Sequence, residues 1–370
     1  MKSRLKSISR SSRGWALVAL LFFTKAATGQ QPDYAQEYAL LKAQIIKHYY
    51  KPELKYYVEQ VPARPGDRKV SYLWPLCALF EAYQAGAVLE KKSKDFEHTF
   101  EIIRKYDDKR APAAGYASYP PGLGGGDRFY DDNQWIGITV MHQYEKTKEP
   151  RWLKTGSEIY RFMMTGYDTV SGGGLYWQEG HKNTKNTCSN GPGILLALQL
   201  YKATGDSAYF KTAVGLYQWV NRWLRTADGL YYDNLHLKER RVDKRVYSYN
   251  TGTMLEANVL FYEITRDSAY LVTAQKMAGS ADRYFLKNRE LKDNFWFNAV
   301  LLRGLLHLWR VDGDARYLEA FRGAVDHAIT HKTSQGLVGK DGTSQNLVPQ
   351  GGMLELLAHM AVLQKQGIIK

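Results

Sequence analysis

Residues 201–210 read YKATGDSAYF. The same ten-residue frame recurs without gaps as YEKTKEPRWL at 144–153, YEITRDSAYL at 262–271 and WRVDGDARYL at 309–318, with starts 57, 61 and 47 residues apart. An apolar helical run precedes and follows each copy. The polar centre, such as Thr204-Gly205-Asp206, stops the first helix, and Asp206 or Asp267 stands where it can cap the next. Each copy therefore reads as the bend of a helical hairpin. Hairpins repeated at this period stack or close into one body.

Extending the pattern outward predicts twelve helices in two alternating sets. One set covers roughly 70–86, 131–146, 190–204, 250–265, 295–311 and 348–365. It is apolar on several faces, as in Ile194-Leu-Leu-Ala-Leu-Gln-Leu200, and such helices are buried. The other set covers roughly 36–50, 93–106, 151–168, 207–226, 268–286 and 315–331, and is amphipathic; Phe96, Phe100 and Ile103 recur at helical spacing. Six buried and six covering helices in alternation describe an all-α (α/α)6 barrel, expected as a single domain over 30–370. Connections inside each hairpin are short. Those leading into the buried helices are long and rich in Gly and aromatics, as in Gly172-Gly-Gly-Leu-Tyr-Trp177 and Asp293-Asn-Phe-Trp-Phe-Asn298. They open on one face, which predicts a ring of aromatic loops around a cleft.

Composition agrees with one large core, since 44% of the 370 residues are hydrophobic. The aromatic content of 13%, with 27 Tyr and 9 Trp, suits a sugar site, because sugars pack flat CH faces on rings. Residues 1–29 read as a signal peptide: a basic start, an apolar stretch from Trp15 to Phe23, and small residues Ala27-Thr28-Gly29. A secreted or periplasmic protein is expected, with no membrane insertion after cleavage. The leader holds six of the 51 Lys and Arg and no acid, so 45 basic residues face 37 acidic ones in the remainder. The run Lys238 to Arg245 contains Glu239 and Asp243, so a solvated loop is expected there and no nucleic-acid partner. Cys77 and Cys188 are expected as buried free thiols. His327 and His331 have metal-ligand spacing but lack a third ligand, so neither a metal nor another cofactor is expected.

The string Tyr130-Asp-Asp-Asn-Gln-Trp135 opens the second buried helix. Free N–H groups and the helix dipole favour one anion there. A second carboxylate beside it is disfavoured as an anion, so its pKa should rise. One ionised carboxylate and one proton donor are the pair that glycoside hydrolysis needs. Adjacent helical positions diverge by about 100°, which brings the two carboxyls to a retaining separation of about 5–5.5 Å. Which aspartate plays which role stays open on these grounds.

From about Tyr38 to the C-terminus the sequence resembles glycoside hydrolase family 76, the endo-α-1,6-mannanases. The residues that carry the resemblance are Tyr130-Asp-Asp-Asn-Gln-Trp135, Gly173-Gly-Leu-Tyr-Trp177, Asn190-Gly-Pro192 and Tyr249-Asn-Thr-Gly252. The resemblance implies a retaining hydrolase of α-mannan polysaccharide or oligosaccharide, working as a monomer, with Asp131 as nucleophile and Asp132 as acid/base. Asn133, Gln134, Asn190 and Asn250 suit sugar hydroxyls and equally suit helix ends. Trp74, Tyr130, Trp135, Trp177 and Tyr249 are candidate sugar contacts, and Glu256 reads as a satisfied internal carboxylate.

Three other readings compete. An unsaturated glucuronyl hydrolase would want basic residues in the cleft for a uronate. A sugar epimerase would want acid/base groups, often His, on the rim, where His181 and His236 are the available ones. A non-catalytic mannan-binding protein would keep the barrel without the chemistry.

Overall fold

Each expected helix is present in the computed structural model, with ends shifted by up to four residues. The structure describes residues 31–90 and 94–369, and the expected leader at 1–29 lies outside them. The outer helices are α1 (Tyr34–Tyr49), α3 (Asp95–Ile103), α5 (Pro150–Met164), α7 (Ser207–Trp223), α9 (Ser268–Phe285) and α11 (Arg316–Ile329). The inner helices are α2 (Leu73–Gly86), α4 (Tyr130–Thr147), α6 (Thr187–Thr204), α8 (Ser248–Thr265), α10 (Phe295–Asp312) and α12 (Leu347–Lys365). Each inner helix packs on the next, and α12 closes the ring against α2. This is the (α/α)6 barrel. The chain from Asp33 onward forms one compact unit.

Two kinds of local sequence produce the two rings. α5 buries Trp152, Gly156, Ile159, Phe162 and Met163, a single stripe at helical spacing. α6 instead buries the whole run from Thr187 to Leu198, with no polar face left for solvent. Asp206 and Asp267 cap α7 and α9 by accepting from the backbone N–H groups of Ala208 and Ala269, both at 2.9 Å.

Inner helices approach to backbone contact at glycines. A Cβ on Gly252 would lie 2.6 Å from Leu301 Cα and 2.7 Å from the Val300 carbonyl oxygen. From the other side, a Cβ on Gly304 would lie 2.8 Å from the Gly252 carbonyl oxygen. The α8–α10 contact thus requires hydrogen atoms at both positions.

The long connections are more ordered than loops. Two of them supply a four-stranded antiparallel sheet, β1 (Tyr176–Gln178), β2 (His181–Asn186), β3 (Tyr232–His236) and β4 (Arg241–Val246), in that spatial order. The run Lys238 to Arg245 is solvent-exposed as expected, but it is not an irregular loop. It is the turn and fourth strand of this sheet, held by backbone pairing of Asn234 with Asp243 and His236 with Arg241. Two buried cations tie the loops beneath. Arg128 donates to the carbonyls of Asp108, Arg110, Ala111 and Ala113, and grips Glu179 through Nε and Nη2 at 2.7 and 2.6 Å. Lys185 donates to the carbonyls of Asp168, Val170 and Gly173 and to the Asp168 carboxylate at 2.7 Å. Buried loop carbonyls need donors, and one long cation satisfies several at once.

A repeated amide clamp fixes three of the loops to their helices. Asn133, the fourth residue of α4, accepts from the Tyr116 N–H at 2.7 Å and donates to the Tyr116 carbonyl at 3.0 Å. Asn190, the fourth of α6, does the same with Leu175 at 2.7 and 3.0 Å. Gln350, the fourth of α12, repeats it with Val338 at 2.9 and 2.8 Å.

A pair of substitutions checks the backbone-contact account. Gly252→Ala should lower stability by about 1–3 kcal/mol in chemical denaturation, because backbone must move to admit the methyl. Gly215→Ala, on exposed α7 with open space around it, should raise it by about 0.5–1 kcal/mol. Equal effects from the two would contradict the close packing of α8 on α10.

Candidate active site

A cleft of about 760 Å³ lies at the end of the barrel where the inner helices begin. Asp131 and Asp132 sit in the first turn of α4 and line it, both half-buried. One wall is aromatic, made by Trp74, Trp177, Tyr247, Tyr249, Trp296 and Phe297. The polar lining comes from the sheet: Thr184 and Asn186 of β2, Asp233 and Asn234 of β3, and Arg245 of β4.

The two aspartates differ in what donates to them. Asp131 accepts from the indole Nε1 of Trp177 at 3.1 Å and from the backbone N–H of Asp132 at 3.1 Å. The Cys188 thiol lies beside it and also favours its ionised form. Among the described residues no donor reaches the Asp132 carboxyl. Burial raises the pKa of Asp131 to about 6, and the hydrogen bonds from Cys188, Trp177 and the backbone hold it from going further. Burial, and then the charge of Asp131, push Asp132 well above the usual carboxylate range. The arrangement can keep one carboxylate ionised and the other protonated near neutral pH.

The expected sugar contacts divide. Trp74 and Trp177 present open faces to the cleft, being 36% and 41% exposed. Trp177 also packs on Phe129 at 4.9 Å, so its ring is held while its N–H reaches Asp131. Tyr249 lines the aromatic wall, stacked on Phe297 at 4.0 Å. Trp135 is 2% exposed and meets the cleft only as part of its floor.

The others are turned away. Tyr130 packs on Phe162 at 5.1 Å, with its hydroxyl against Thr165. Gln134 is fully buried, with Nε2 3.4 Å from the Met163 sulfur. Asn133 and Asn190 are spent on the clamps described above. Asn250 is buried too, with its amide beside the Asp233 carboxyl. Backbone groups of the loops take up the amides of Asn133 and Asn190, because an unpaired buried N–H or C=O is costly.

Several cleft residues carry no signal of their own in sequence. Asn234, Thr184 and Asn186 reach the cleft only because the sheet forms, whereas Asp233 lies on a Gly- and Tyr-rich connection that opens on it. Arg245 lines it as well, but is paired with Asp243 at 2.7 Å and Asp233 at 3.4 Å. His181 and His236 lie on β2 and β3 and are not among the cleft-lining residues. Asp293 accepts from the Ser248 N–H at the start of α8 at 2.6 Å. Trp296 and Phe297 belong to an aromatic run that is plain in sequence, and they form the first turn of α10. Glu256 is internal as expected, drawn down to about 2 despite burial by His307, His142 and Arg303.

Residues 34–295 match the Glycosyl hydrolase family 76 profile. The mannan endo-1,6-alpha-mannosidase DCW1 of Saccharomyces cerevisiae is 27% identical over 171 residues, which is 42% of this chain and 38% of the relative. The chain thus spans well under half the length of that curated relative. The family 76 glycoside hydrolase (mannosidase) Bt3792 from Bacteroides thetaiotaomicron superposes with a TM-score of 0.81 at 26% identity, covering 91% of this chain and all of that one. An inactive variant of the α-1,6-mannanase of a Salegentibacter species, in complex with α-1,6-mannotriose, shares the fold at a TM-score of 0.75 and 21% identity, over 89% of this chain and 99% of that one. With the profile covering well over half of its length, the chain belongs to glycosyl hydrolase family 76.

Proposed function

We propose that the protein is a retaining glycoside hydrolase that cleaves α-1,6-mannosidic bonds in α-mannan, with Asp131 as nucleophile and Asp132 as acid/base. One observation carries the assignment: the donors converge on Asp131 and bypass Asp132. A nucleophile has to be ionised at the moment of attack, and a general acid has to hold its proton until then. The carboxylate supported by Trp177, Cys188 and the Asp132 N–H is the one suited to attack the anomeric carbon. Its neighbour, penalised by burial and by that same charge, protonates the leaving oxygen. In the second step Asp132 takes a proton from water, and the water displaces Asp131 from the sugar.

The substrate follows from the walls. Aromatic faces at Trp74 and Trp177 suit the CH faces of pyranose rings, while Asp233, Asn234, Thr184 and Asn186 offer partners for hydroxyls. The mannotriose bound by the Salegentibacter mannanase and the activity named for the yeast relative point to α-1,6-linked mannose. A uronate-specific reading gains nothing from Arg245, because two carboxylates already neutralise it. The basic, apolar start of the sequence supports a secreted or periplasmic enzyme. Among the described residues no helix is long and apolar enough to cross a membrane.

The direct test is digestion of unbranched α-1,6-mannan followed by proton NMR from the first minutes. α-Anomeric mannooligosaccharides should appear first, and Asp131→Asn and Asp132→Asn should each lose most of the turnover while folding normally. A β-anomer first, or full activity in either variant, would contradict the reading.

The pH profile tests the donors separately. kcat/KM should fall below about pH 6, where Asp131 becomes protonated. Trp177→Phe keeps a ring on Phe129 but removes the N–H that favours the anion. The folded-state pKa of Asp131 should then rise, and the acid limb should move to higher pH. An unmoved limb, or one displaced to lower pH, would show that Trp177 does not support the ionised form.

A further inference from the structure

The cleft floor rests on a buried ion cluster that takes no part in the chemistry described so far. Glu81 lies on α2 seven residues after Trp74, two helical turns below it on the same face. It is 4% exposed. Its Oε2 accepts from the indole Nε1 of Trp296 at 2.6 Å. Both of its oxygens also accept from Arg303 of α10, at 3.2 and 3.0 Å. The Nε of Arg303 lies 3.0 Å from Glu355 of α12. The same guanidinium sits 5.3 Å from the centre of the Trp135 ring.

These contacts reach the cleft through three indoles. Trp135 and Trp296 meet edge to face at 5.1 Å, and Trp74 meets Trp296 the same way at 5.8 Å. All three line the cleft. Close packing holds both buried indoles, and the hydrogen bond at the Trp296 N–H and the guanidinium against the Trp135 face add directional restraint.

We infer that Glu81 is a positioning residue for the sugar-binding floor: by accepting from Trp296 and holding Arg303 beneath Trp135, it fixes the two indoles buried under the cleft and so the angle at which Trp74, packed on Trp296, presents its open face to the sugar ring. A buried carboxylate is costly unless paired, and here its partners are an arginine and a tryptophan that reach the floor. Burial raises Glu81 to about 7 even though Arg303 and the Trp296 N–H favour its ionised form. The inference rests on the mannanase reading for the identity of the sugar, but not for the geometry of the indoles.

Two variants separate the contributions. Glu81→Gln keeps an oxygen for the Trp296 N–H, whereas Glu81→Leu removes the acceptor. With α-1,6-mannotetraose as substrate, Glu81→Leu should raise KM about tenfold with kcat little changed, the order expected for one lost buried hydrogen bond. Glu81→Gln should stay close to the parent protein. The near-ultraviolet circular dichroism of the unliganded protein should change in Glu81→Leu and be restored in Glu81→Gln, a readout that needs no substrate. If Glu81→Leu does not fold, Trp296→Phe removes the same hydrogen bond from the other side and should raise KM to a similar extent.

A folded Glu81→Leu with parental KM and spectrum would overturn the inference. So would Trp296→Phe with parental KM, or equal losses in the Gln and Leu variants. Failure of the parent protein to act on mannotetraose, with the spectral change still present in Glu81→Leu, would instead count against the substrate reading alone and support the positioning role.

Discussion

Every inner helix begins at the same end of the barrel, and that single constraint decides where everything else goes. Alternating inner and outer helices joined by tight bends at one end leave all the long connections at the other. Backbone contact between α8 and α10 at Gly252 and Gly304 shows how closely the inner ring is drawn together. Loops emerging from so tight a ring bury apolar residues such as Leu175, Tyr231 and Leu337 against the barrel, but their backbone lies outside its helices. They are held by amide clamps at Asn133, Asn190 and Gln350, and by the buried cations Arg128 and Lys185. The cleft is therefore a consequence of barrel topology plus a small set of polar anchors.

Within that cleft the chemistry depends on inequality between neighbours. Two carboxylates adjacent on one backbone share burial and the same helix end, so neither the helix dipole nor desolvation separates them strongly. What separates them is the direction of the donors. Trp177 arrives from β1, which lies beside the start of α4, and only Asp131 faces it. The strand carrying Trp177 is tied to its sheet by β2, whose Lys185 is anchored beneath the preceding loop. A polar anchor in a loop thus bears on which aspartate stays ionised.

The repeat and its two kinds of helix were legible because burial leaves a direct mark on apolar periodicity. Asp206 and Asp267 could be read as caps for the same local reason. The aspartate pair stood out through its position at a helix start. The amides were harder: Asn133 and Asn190 carry the side chain expected of a sugar binder, yet the same side chain satisfies loop backbone, and only tertiary structure shows which demand prevails. The sheet left little period-two apolar signal, because β2 is polar on both faces and on β4 the apolar face of Val242 and Val246 is interrupted by Lys244. Thr184 and Asn186 were hidden with it, whereas Asp233 was legible as a carboxylate on a Gly- and Tyr-rich connection that opens on the cleft. Glu81 sits inside a helix that reads as uniformly buried, and its partners Trp296 and Arg303 are more than two hundred residues away.

The central claim is that donor geometry makes Asp131, and not Asp132, the group that bonds to the sugar. Covalent trapping addresses it most directly. A fluorinated α-1,6-mannobiosyl fluoride, activated at the leaving group and slowed in hydrolysis, should accumulate as a glycosyl-enzyme, and peptide mapping by mass spectrometry should place the sugar on Asp131. A label on Asp132, or on a facing residue such as Asp233, would contradict the account.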